Sequence, residues 1–151
     1  MSRASRRTTA SIVERVADRL AAAGVPGVAS TAGAIEVRPT SGDGFLVRLE
    51  VRGPRDFLVA FDGWRHRFDR AEDAYDCFEY GLSDSCRLKV TRRGDRPVAW
   101  QVEKREYGMW APGHVERRRL VPFWKPLRIE YRQNRVFRRA AGSDSTSPAA
   151  P

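Results

Sequence analysis

Phe57-Leu58-Val59-Ala60-Phe61-Asp62-Gly63-Trp64-Arg65-His66-Arg67-Phe68 is the stretch that decides how this chain is read. Two alternating runs flank Asp-Gly, a dipeptide that favours a two-residue type I′ hairpin because both central residues take positive φ. A loop of that length sets the register: Phe61 opposite Trp64, Val59 opposite His66, Phe57 opposite Phe68. Directly opposed residues share a face, so aromatic bulk collects on one side, with Leu58, Ala60, Arg65 and Arg67 on the other. The expectation is a sheet with one buried side, and His66 lies on it.

Outward from the hairpin, the pattern continues in both directions. Phe45, Val47, Leu49 and Val51 alternate with Leu46, Arg48, Glu50 and Arg52, a period of two that reads as a strand, and Ala34–Arg38 reads as a shorter one ending at Pro39. Upstream, Ile12, Val16 and Leu20 recur at helical spacing between Ser11, a plausible cap, and Gly24. Downstream, Asp69-Arg70-Ala71-Glu72 matches a capping box ahead of the apolar series Ala74, Tyr75, Phe78 and Leu82, with Glu72, Asp73, Asp76 and Glu79 on the opposite side. Leu88 and Val90 then alternate with Arg87 and Lys89, turn at Arg93–Pro97, and return through Val98, Trp100 and Val102. Gly108–Gly113 reads as a break, Val115–Trp124 as a further segment, and 127–138 as strand or terminal helix. The fold expected is α+β: a curved antiparallel sheet of about six strands with two helices packed on one face, in the order α-β-β-β-α-β-β-β. Residues 1–10 read as a disordered basic N-terminus, 11–139 as one domain, and 140–151 as a disordered tail.

The charge balance points to acidic partners. Lysine and arginine total 28 against 19 acidic residues, a formal charge of +9. Setting the termini aside removes four arginines and one aspartate and leaves +6, so the excess belongs to the domain. Such a domain suits nucleic acid or an acidic protein. Arginine outnumbers lysine 25 to 3, which codon bias alone would produce, although bias does not explain basic over acidic. No apolar run is long enough to cross a bilayer, and no apolar segment follows the basic N-terminus as in a secretion signal. The expected location is cytoplasmic, without membrane contact, and Cys77 and Cys86 are expected as reduced core thiols.

Catalytic signatures are sparse. There is no phosphate-binding glycine loop and no nucleophile elbow. His66, His114, Cys77 and Cys86 lack the close spacing of a zinc site, so neither metal nor cofactor is expected. His66 sits among aromatics in the expected register, where desolvation would lower its pKa and a pocket of Phe57, Phe61, Trp64 and His66 would form. Without a partner base or nucleophile, a core histidine is the simpler reading.

The basic C-terminal third carries the main functional expectation. Arg117, Arg118, Arg119, Arg128, Arg132 and Arg135 are the candidates for anion contact, and Trp110, read as part of a loop, is a candidate anchor. Tyr131 and Phe137 share parity with Leu127 and Ile129, which places them in the core rather than on a base-stacking platform. The function expected is a non-enzymatic binding module for a protein or other acidic partner. Nucleic-acid binding through the arginine-rich third is the alternative, and a small-ligand or enzymatic pocket at His66 is the third.

Overall fold

The structure, a computed structural model, describes residues 3–137, with side chains described from Ile12 onward. Two helices and nine strands follow the order α1 (Arg3–Ala22), β1 (Val28–Ser30), β2 (Ala34–Val37), β3 (Val47–Gly53), β4 (Asp56–Phe61), β5 (Trp64–Phe68), α2 (Ala71–Gly81), β6 (Cys86–Arg93), β7 (Arg96–Glu106), β8 (Met109–Arg117) and β9 (Leu127–Arg132). The α+β class and antiparallel pairing are as expected, but the strands form two sheets. The first runs β1-β2-β3-β4-β5 and the second β8-β7-β6-β9. The second helix falls between them and breaks strand continuity. The expected end of the domain near residue 139 and the tail at 140–151 lie outside the described residues.

The hairpin register is the one its loop length implies: Phe61 pairs with Trp64, Val59 with His66 and Phe57 with Phe68. Its turn is not type I′. Asp62 takes φ 49°, but Gly63 is absent from the positive-φ residues. Gly63 is required by packing, since a Cβ there would lie 2.3 Å from the Trp100 ring. Two consecutive positive φ values occur instead at Tyr107 (50°) and Gly108 (76°), in the turn joining β7 to β8. The expected break over Gly108–Gly113 is therefore only that turn, and Trp110 lies in a strand.

One core joins both sheets. Ile35, Val37, Val47, Leu49, Val59 and Phe61 from the first sheet meet Val16 and Leu20 of α1, Phe78 of α2, and Leu88, Val90 and Trp100 of the second sheet. Both helices pack on the first sheet, as the contacts of α1 with β1, β2 and β3 and of α2 with β3, β4 and β5 show. Gly81 ends α2 against Phe61, where a Cβ would lie 2.3 Å from the ring. The capping box does not form. The N-cap is Arg70, with no side-chain cap bond, and Asp69 lies 3.7 Å from Arg55 instead. The opposite face of the first sheet is wet and laced with ion pairs, among them Arg48–Glu36 (3.2 Å) and Arg67–Asp56 (2.6 Å). Leu58 is buried beneath that face at 7% exposure.

Asn134 closes the fold. Its Nδ2 donates to the Phe45 and Gly81 carbonyls, both at 3.0 Å, and its Oδ1 accepts from the Phe45 N–H at 3.2 Å. Three backbone groups remote in sequence thereby find partners in a buried site, where unpaired ones would be costly.

Candidate functional site: the outer face of the four-stranded sheet

His66 is exposed rather than buried. It lies on an edge strand, 6.1 Å between ring centroids from Trp64, 4.9 Å from Phe68 and 5.7 Å from His114. Parity puts it on the same side as Val59, as expected, but β5 is the edge strand of its sheet and that side is left open at His66. Phe57, Phe61 and Trp64 are packed in the core at 5% exposure or less, so the four residues line no common pocket. His66 instead borders an open depression with Arg55, Asp56, Arg67, Phe68 and Asp69. Among the described residues, no group of three or more His, Cys, Asp or Glu side chains is arranged to hold a metal. Cys77 and Cys86 are free thiols. Burial pushes the Cys77 thiol up to about 12, and burial together with the neighbouring Cys77 pushes Cys86 up as well.

The arginines singled out in sequence do not converge. Arg128 and Arg132 project toward the inner side, where Arg128 lies 3.1 Å and Arg132 3.5 Å from Glu130, and Arg132 is 3.8 Å from Asp62. Partial burial pushes the Glu130 carboxyl up, but Arg92, Arg128 and Arg132 outweigh it and hold the group below its ordinary value. Arg118 places its guanidinium 5.4 Å from the Trp100 ring centroid. Arg135 is exposed beside a cavity of about 430 Å³ between the end of α1, the β2–β3 connection and residues 133–136. Arg117, paired with Ala99, points to the outer face, and Arg119 is exposed in the loop that follows.

Strand alternation assembles a different set. Arg87, Lys89 and Arg93 on β6, Arg105 on β7 and Arg117 on β8 all fall on the outer face, away from Leu88, Val90 and Trp100. Only Arg117 was among the expected contacts. The alternation of Arg87 and Lys89 with Leu88 and Val90 was the available signal. The single carboxylate among them, Glu103, is buried at 7% exposure and accepts from Arg87 Nε. Trp110 and Tyr131 lean over Arg87 from strands on either side, with ring centroids 4.5 Å and 4.1 Å from its guanidinium carbon. A Trp–Arg–Tyr stack thus covers an ion pair on this face.

Tyr131 is not a core residue. Leu127, Ile129 and Tyr131 are 54%, 44% and 50% exposed, all on the outer face of β9. Parity correctly grouped them but assigned them to the wrong side, because Arg128, Glu130 and Arg132 form the inward ion-pair cluster. Phe137 does pack against the core. The loop ahead of β9 adds Leu120, Phe123 and Trp124 at 72–88% exposure, with the last two rings edge to face at 5.4 Å. Comparison with protein-family models, with curated proteins and with solved structures returns no match.

Proposed function

We propose that this protein is a non-enzymatic binding module that docks an acidic partner protein on the outer face of its four-stranded sheet. The observation that carries the reading is where the apolar surface lies. Nine large hydrophobic residues are exposed among those described, and six of them, Leu120, Phe123, Trp124, Leu127, Ile129 and Tyr131, lie on β9 or in the loop that leads into it. Exposed apolar side chains gathered in one region mark interaction surfaces, whereas scattered ones do not. Tryptophan, tyrosine and arginine beside aliphatic residues form a hot-spot composition. Arg87, Lys89, Arg93, Arg105 and Arg117 against Glu103 alone select an acidic surface. The apolar members include Leu120, Leu127 and Ile129, which contribute to a protein contact but offer no ring on which a base stacks.

A photo-cross-linking amino acid in place of Trp124, in cells of the source organism, tests the reading. The expected result is a discrete protein adduct that disappears when Ile129→Glu and Lys89→Glu are combined in the same chain. Adducts that persist unchanged in that variant refute the surface. A second reading, single-stranded nucleic acid, is favoured by Trp110 and Tyr131 on an open sheet with cations around them. Fluorescence anisotropy with labelled oligonucleotides separates the two. Micromolar binding with a log–log salt slope of several would put nucleic acid on this face, and its absence at moderate salt leaves the protein reading.

A further inference from the structure

We propose that the chain self-associates through β9, two copies pairing antiparallel about a twofold axis at Ile129 so that two four-stranded sheets become one of eight. This goes beyond the docking reading, because it rests on the backbone edge of the sheet and on the inner-side charges of β9, although Leu127, Ile129 and Tyr131 of the outer face take part in the pairing.

The four sheet edges are not equivalent. β1 is only three residues long. β5 lies against β7 and β8, and Trp64 Nε1 donates to the His114 carbonyl at 3.1 Å. β8 carries Pro112 and a register shift opposite Gln101 and Glu103. Short strands, prolines, irregular registers, covering segments and inward-pointing charges are the devices that keep edges from pairing. Within its span β9 carries only the last, Arg128, Glu130 and Arg132, and these are of both signs. It keeps an unbroken register with β6 from Leu127 to Arg132 and, among the described residues, pairs with no other strand.

Self-complementarity identifies the occupant. Residues of one parity direct their N–H and C=O groups to the free side of a strand, so two copies of β9 pair only with like parity opposed. Three registers then place the axis within the strand's centre. With the axis at Arg128, that arginine opposes its own copy. With the axis at Glu130, that carboxylate opposes its own copy and Arg128 meets the partner's Arg132. With the axis at Ile129, Arg128 faces the partner's Glu130 twice over, Leu127 faces the partner's Tyr131 twice over, and Ile129 faces itself. Opposed unlike charges and aromatic–aliphatic pairs favour sheet pairing, and opposed like charges disfavour it. Only the last register satisfies both faces, and the symmetry closes at two copies.

A contact confined to one strand is small, so the association is concentration-dependent. Sedimentation velocity on the full chain across a hundredfold range of concentration is expected to show a monomer giving way to a dimer. Arg128→Glu and Glu130→Arg, each alone, are expected to weaken the dimer at least tenfold, and the two together to restore it. Because Glu130 also lies 3.1 Å from Arg92, a second measurement avoids charge changes. Ile129→Cys is expected to form a disulfide-linked dimer under mild oxidation, while Leu127→Cys, four positions out of register with its own copy, does not. A chain that stays monomeric and leaves Ile129→Cys uncross-linked overturns the proposal. So does equal cross-linking of both cysteine variants, or a double charge exchange that fails to restore the dimer.

Discussion

Removing the Asn134 side chain tests whether one residue near the C-terminus completes the core. In Asn134→Ala the Phe45 N–H, the Phe45 carbonyl and the Gly81 carbonyl lose their side-chain partner. Asn134 is 6% exposed and Phe45 1%, so water does not readily replace it. At about 1 kcal/mol for each lost hydrogen bond, the expected destabilisation is about 3 kcal/mol. For a domain of this size that corresponds to a fall in Tm of roughly 10 °C. Asn134→Asp sharpens the test. An aspartate still accepts from the Phe45 N–H, but it faces two carbonyl oxygens that an ionised carboxylate repels. Its folded-state pKa is thereby raised above the unfolded value of about 3.9. The folded state then binds the proton more tightly than the unfolded state, so the variant loses stability as pH rises through that interval, with the full loss reached above the raised pKa. Urea unfolding of both variants from pH 3 to 8, referenced to the parent chain, measures each effect. A loss below about 1 kcal/mol in Asn134→Ala, or an Asn134→Asp penalty that does not grow with pH, refutes the assignment.

Three other outcomes follow from the same geometry. Gly63→Ala, with its Cβ 2.3 Å from Trp100 atoms, is expected to cost about 1–3 kcal/mol in chemical denaturation; an unchanged midpoint would mean the turn relaxes freely. Cys77, with its thiol pushed up to about 12 by burial, and fully buried Cys86 are expected to resist Ellman's reagent at pH 8 until denaturant is added, and rapid reaction of either in the native protein contradicts their placement. Burial raises the Asp62 carboxyl above 3.8 despite the Leu46 N–H and the charges of Arg132 and Arg92, so the parent chain loses stability relative to Asp62→Asn as pH climbs from 3.8 through the raised value. Thermal melts of the pair between pH 3 and 7 read this directly, and parallel curves would be the contrary result.

Local periodicity made much of this architecture legible, and tertiary arrangement accounts for the rest. The Asp62-Gly63 hairpin was readable because a two-residue loop leaves one register, and β3 was readable from its period of two. The division into two sheets was not, since alternation says which residues share a side but not which strands are neighbours across a helix. The same limit explains His66 and Tyr131. Each was grouped correctly with its neighbours in parity, but parity carries no information on whether a helix covers that side. Arg128 and Arg132 looked available for an anion because Glu130 and Asp62 were not visibly their partners. The outer cations at Arg87, Lys89 and Arg105 were spread over β6 and β7, and only the pairing of those strands brings them together with Trp110.

The four tryptophans divide the molecule in a way that light can read. Trp64 and Trp100 are enclosed by the shared core, whereas Trp110 rests on a guanidinium and Trp124 is 72% exposed. Emission from the enclosed pair reports whether the two sheets remain joined, and emission from the other pair reports what touches the outer surface. A small quencher such as acrylamide would silence Trp124 first and leave Trp64 and Trp100 bright. Titration and unfolding are therefore separable in a single cuvette, using no label beyond the chain's own indole rings.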